Sequence, residues 1–150
     1  MSSTSSSVYP RTSDQRHRIA LIEGPNTSNM GKRTKSVYGD IGTLDELKAF
    51  CVEVGDRFGV EIVTFSSNHE GDILEFIHDH ASVCDAFIVN PAGLTLFGMS
   101  TLHALVETYK PWVEIHFANV TAAPGHPRAV PVGPWDSLFT KHATGVSMGL

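Results

Sequence analysis

The sequence predicts an α/β fold, a doubly wound parallel five-stranded sheet with helices in layers on both faces. Three observations predict it. Short apolar runs recur along the chain, segments of helical period separate most of them, and turns rich in Asn, Gly and His follow the runs directly.

The first run, Ile19 to Ile22, is stopped by Gly24-Pro25 and suits a buried strand. Residues 27–42 are polar with three glycines and read as a long loop of the kind that serves as a lid. Thr43 and Glu46 have capping-box spacing. Leu44, Leu47, Phe50, Cys51, Val54 and Phe58 then repeat at helical period, and Gly59 ends the helix. Val60 to Phe65 is the second strand. Asn68 is expected to cap a helix from Glu70 to Ser82. Ala86 to Val89 is the third strand, Gly98 to Tyr109 a helix, and Trp112 to Phe117 the fourth strand. Residues 124–134 carry four prolines and must be irregular. Ala143 to Met148 supplies a short fifth strand.

The 150 residues favour one domain over residues 17–150. A Ser/Thr-rich stretch over residues 1–16 has almost no apolar anchor and reads as a disordered tail. Hydrophobic residues make up 41% and charged residues 18%, as in a globular protein, and the net charge of -5 argues against nucleic-acid binding. Cys51 and Cys84 lie in apolar stretches and read as buried free thiols. No apolar run approaches the roughly 18–20 residues of a membrane span, and the N-terminus lacks the features of a signal peptide. A soluble, cytoplasmic protein is expected. The histidines are not spaced as a ligand set: His78 and His80 fall on different helix faces, and His103, His126 and His142 stand alone. No metal is expected.

Ligands of doubly wound sheets sit beyond the carboxyl ends of the strands. Those ends carry Gly24-Pro25-Asn26, Ser67-Asn68-His69-Glu70-Gly71, Asn90-Pro91-Ala92-Gly93, and a strand in which Glu114 and His116 share one face by period two. Each segment alone also fits an ordinary turn, helix cap or structural histidine. Their order, with Arg33 and Tyr38 in the intervening lid, resembles the type II 3-dehydroquinate dehydratases. The resemblance runs from about Ile19 to Asn119 and resumes near Ala143-Thr144-Gly145-Val146.

That resemblance implies a flavodoxin-like fold and assembly of a homo-oligomer, a trimer or a dodecamer built of trimers. It also implies loss of water from a small-molecule substrate through an enolate, with no cofactor. Tyr38 would take a proton α to a ketone, its phenolate favoured by Arg33. Asn26 would hold a water on the enolate oxygen. His116 would protonate the departing hydroxyl, oriented by Glu114 and Asn90. Pro25, Ala92 and Gly93 would border the substrate, and backbone amides near Phe117 and Ala118 would hold a carboxylate.

The chain also departs from the family pattern. Leu96-Phe97-Gly98 replaces a His-Thr-Ser stretch, Leu102-His103 an Arg-Asp pair, and Thr121-Ala122-Ala123 a His-Ala-Arg stretch. Arg128 is the arginine left in that region to bind substrate hydroxyls. The chain ends at Leu150, where the family adds a helix. Leu94, Leu96, Phe97, Met99 and Phe117 therefore suggest a larger, more apolar substrate pocket. The leading expectation is a lyase on a non-quinate, more apolar β-hydroxy carbonyl compound, elaborated in natural-product biosynthesis into dehydration with conjugate-addition cyclisation. Two other readings are an authentic 3-dehydroquinate dehydratase and a non-catalytic small-molecule binder.

Overall fold

The computed structural model describes residues 16–149. The predicted tail lies outside the described residues except for Arg16, whose guanidinium pairs with Asp56 at 2.7 Å.

Five parallel strands form one sheet in the order β2-β1-β3-β4-β5. They are β1 (Arg18–Glu23), β2 (Glu61–Ser66), β3 (Ala86–Asn90), β4 (Trp112–His116) and β5 (Gly145–Met148). The first three connections carry helices, α1 (Lys35–Tyr38) and α2 (Leu44–Arg57), then α3 (Glu70–His80), then α4 (Met99–Glu107), and the one from β4 to β5 is irregular. The order reverses between β1 and β3, which is the switch point where such sheets open a crevice.

Alternation along the strands sorts the two faces. Ala20, Ile22, Phe87, Val89 and Trp112 join Ile73, Phe76 and Ile77 of α3 and Leu102, Ala104 and Leu105 of α4 in the main core. On the other face α2 packs on β2, with Gly55 so close to Ile62 that an added Cβ would lie 2.4 Å from its Cγ1. Helix α2 starts as predicted: Glu46 N–H donates to Thr43 Oγ1, and Thr43 N–H donates to Glu46 Oε2 at 2.7 Å. Its predicted apolar face is less buried than the period implied, since Phe50 is 57% and Phe58 80% exposed. The helix covers a narrow edge of the sheet, so only part of that stripe finds a partner. Among the described residues no helix is long and apolar enough to cross a membrane.

The long-loop expectation needs correcting. Residues 27–42 contain a 3₁₀ turn, Thr27–Lys32, followed by α1. Buried Thr27 and Met30 anchor the turn, Thr27 Oγ1 donates to the Gly24 carbonyl at 2.7 Å, and Gly39 ends α1 with φ 88°. Asn68 is not a helix cap either. His69 takes that position, while Asn68 Oδ1 accepts from Asn26 N–H at 2.8 Å and so fastens the lid's first residue to the β2 end.

Candidate active site

Three strand ends and the lid close around one cavity of about 90 Å³. From the β1 end come Pro25 and Asn26, from the β3 end Asn90, Ala92 and Gly93, and from the β4 end His116, Phe117 and Ala118. Arg33 and Tyr38 reach it from the lid.

The β1 and β3 turns are clamped together. Gly24 N–H donates to the Asn90 carbonyl at 2.8 Å, and a Cβ on Gly24 would lie 2.3 Å from the Pro91 carbonyl oxygen. Gly24→Ala is therefore expected to cost about 1–3 kcal/mol, towards the upper end because the obstacle is backbone. Urea unfolding measures it. Asn26 and Ala92, one in each turn, hold left-handed backbone at φ 76° and 50°, a region Asn enters readily but which costs Ala about 1–2 kcal/mol.

The Arg33 guanidinium carbon sits 3.6 Å from the centroid of the Tyr38 ring. A cation over the ring is attracted to the aromatic face, which holds the two side chains together. Tyr38 and Val37 also pack against the buried cluster of Ala118, Val120 and Val130, which seats the lid on the far wall.

His116 is buried, and its Nε2 lies 2.7 Å from Glu114 Oε1. Glu114 is buried behind it and accepts further bonds from Ser137 Oγ and, at 2.7 Å, from Thr140 Oγ1. Burial alone would raise the Glu114 carboxyl, but the bonds from His116, Ser137 and Thr140 together outweigh it and hold the group below the ordinary carboxylate range. An ionised Glu114 requires Nε2 to carry the proton it donates, leaving Nδ1 as the other exchanging position of the ring.

Asn90 does not bond the imidazole as expected. Its Nδ2 donates to Glu23 Oε2 at 2.8 Å and its Oδ1 accepts from Ala92 N–H at 3.2 Å. It braces the β3 turn instead. Leu96 and Phe97 do not line the cavity. Phe97 is 81% exposed, and both border an adjacent depression beyond Ala92 and Gly93. The reason is local: Thr95 Oγ1 bonds the Ala92 carbonyl in a tight turn that carries the next two side chains past the opening. Arg128 is also outside, with Nη2 donating to the Phe117 carbonyl at 2.5 Å. It supports the β4 end from behind.

Sequence reasoning missed Val120, Val130 and Trp135, which complete the cavity wall, and Ser137 and Thr140, which hold Glu114. They come from the irregular segment after β4, where no periodicity marks which side chains turn inward. It also missed Glu23, the last residue of β1, fully buried with Oε1 lacking a hydrogen-bond partner. A lone carboxylate at the end of an apolar run was the available signal.

The strand order and the layering define a flavodoxin-like α/β protein, and within it the lid tyrosine lines the same cavity as a histidine held by a buried carboxylate. The chain belongs to the class II dehydroquinase family, whose sequence model matches residues 17–150. It is 38% identical over 103 residues to a 3-dehydroquinate dehydratase of Roseiflexus castenholzii, a match covering 69% of this chain and 65% of that relative. The match to catabolic 3-dehydroquinase 1 of Aspergillus fumigatus is 34% over 134 residues, 88% of this chain and 83% of the relative. The chain thus spans just under two thirds of the Roseiflexus protein and more of the Aspergillus one. Among solved structures, the type II dehydroquinase from Propionibacterium acnes superposes with a TM-score of 0.75 at 26% identity, covering 91% of this chain and 90% of that one. A type II dehydroquinase from Butyrivibrio crossotus, at 23% identity and a TM-score of 0.76, shares the fold.

Proposed function

We propose that this chain is a cofactor-independent hydro-lyase that dehydrates a cyclic β-hydroxy ketone acid, with 3-dehydroquinate as the first substrate to test. The observation that carries the reading is Arg33 stacked at 3.6 Å on Tyr38, in the same cavity as His116 backed by Glu114. The names of the Roseiflexus and Aspergillus relatives support the same substrate.

In this reading the Tyr38 phenolate removes the proton α to the ketone, and the electron pair moves onto the carbonyl oxygen near Asn26. Protonated His116 then gives its proton to the β-hydroxyl. The carbon–oxygen bond breaks, the enone forms and water leaves. Buried ionised Glu114 stabilises the imidazolium that must precede that step. Backbone amides near Phe117 and Ala118 are the proposed seat of the carboxylate. The cavity is smaller than an ordinary ligand pocket, so a ring enters only when the Arg33–Tyr38 lid swings out.

The direct test is the rise in ultraviolet absorbance as purified protein converts 3-dehydroquinate to the conjugated product. Turnover supports the reading. No turnover and no binding by folded protein leaves the non-catalytic reading. A second substrate reading, a more apolar β-hydroxy carbonyl compound, draws on Val120, Val130 and Trp135. The cyclisation elaboration gains little, because of the five apolar residues on which it rested only Phe117 lines the cavity, while Leu94, Leu96, Phe97 and Met99 do not. We further infer self-association, supported by exposed Phe97, Met99 and Val106 beside α4. Sedimentation velocity distinguishes monomer, trimer and dodecamer.

A further inference from the structure

The acid–base groups occupy one part of the cavity, and the segment running from Val120 to Trp135 supplies another part that is wholly apolar. Val120, Val130 and Trp135 are its contributions to the lining. Trp135 has one hydrogen-bond donor, and its Nε1–H donates to the Val132 carbonyl at 2.9 Å. The indole therefore meets a ligand as ring surface, with no donor left to offer.

This wall is also fixed in place. Trp135 N–H donates to the Val120 carbonyl at 2.6 Å, Gly133 N–H to the Val130 carbonyl at 3.1 Å, and Asn119 N–H to the Arg128 carbonyl at 2.9 Å. An added Cβ at Gly133 would lie 2.4 Å from Val130 Cγ2, so the turn that presents Val130 and Trp135 is tightly packed. A wall so held does not rearrange easily to bring a polar group to a ligand.

We propose that Trp135 sets substrate choice at this site, selecting cyclic β-hydroxy ketone acids that carry no hydroxyl on the ring face turned to this segment. The proposal rests on the dehydratase reading for the reaction, but its own content is a binding preference. A hydroxyl pressed on the wall loses its water partners and gains none, a penalty of about tenfold or more in affinity. A bare ring face instead stacks on the indole.

Two ligands test it: 3-dehydroquinate, and its analogue lacking both secondary ring hydroxyls. Binding is read by calorimetry on Tyr38→Phe, which keeps the ring but not the proposed base, and turnover is read on wild type. The analogue is expected to bind about tenfold or more tightly than 3-dehydroquinate. In the same Tyr38→Phe background, Trp135→Phe is expected to keep that ratio. Trp135→His, which brings a ring N–H, is expected to bring the two affinities together, and Trp135→Gln repeats the test if the histidine variant unfolds. The proposal is overturned if 3-dehydroquinate binds as well as the analogue, if neither binds at millimolar concentration, or if neither Trp135→His nor Trp135→Gln narrows the ratio. Tighter binding of the analogue without turnover of either ligand sinks the dehydration and leaves the Trp135 assignment standing.

Discussion

Tyr38→Phe is expected to lower kcat about a thousandfold while KM changes little. Loss of a positioned proton acceptor costs roughly 10²–10⁴-fold. The substitution removes one oxygen. The ring still lies under Arg33 and still packs against the cluster of Ala118, Val120 and Val130, so the lid keeps its seat. That separation matters, because a merely structural tyrosine would be replaced by phenylalanine at little expense to kcat. A loss below about tenfold would remove Tyr38 from the role of base and leave the packing role alone.

The second large effect concerns stability and pH, and it centres on Glu23. Burial at the end of β1 pushes its carboxyl up to about 7 from 4.5, against the opposing hydrogen bond from Asn90 and the attraction of Lys48. Between those two values the folded chain holds a proton that the unfolded chain has released. Stability therefore falls as pH rises through this window. The contribution is intact below 4.5 and gone above about 7, and the difference is about 3 kcal/mol. Glu114 acts with the opposite sign and at lower pH, since its folded carboxyl lies below the ordinary range. Urea unfolding at pH 5, 6, 7 and 8 measures the effect in wild type and Glu23→Gln. The variant keeps an acceptor for Asn90 but cannot titrate. Histidines titrate in both proteins, so the difference between the two curves isolates Glu23. Parallel curves would show that the carboxyl does not behave as a buried acid.

Much of this architecture was legible in the chain. The apolar runs are short, each is followed by a turn residue, and the Thr43–Glu46 box marks the start of α2. Asn26, Asn90 and His116 fall at strand ends, so the fold alone brings them to one rim. What escaped prediction has no period to betray it. The turns of the lid are set by two buried anchors, Thr27 and Met30, among polar neighbours. Asn68 looks like a cap by position, yet its Oδ1 is drawn to the Asn26 backbone by a contact 42 residues distant in sequence. Leu96 and Phe97 looked like pocket residues by their place after Asn90, and a tight turn at Thr95 carried them past it. Trp135 enters the site from a proline-rich stretch where sequence offers composition without direction.

The bonds of the Val120–Trp135 segment run largely to itself and to the backbone at the β4 end, whereas the groups proposed to move protons stand on the strand ends and the lid. The proposed selecting wall and the proposed proton-moving groups thus lie in different stretches of the sequence. Descendants of this sequence could exchange that single stretch, by insertion, deletion or point change, and acquire new chemical tastes while inheriting the same proton-moving apparatus.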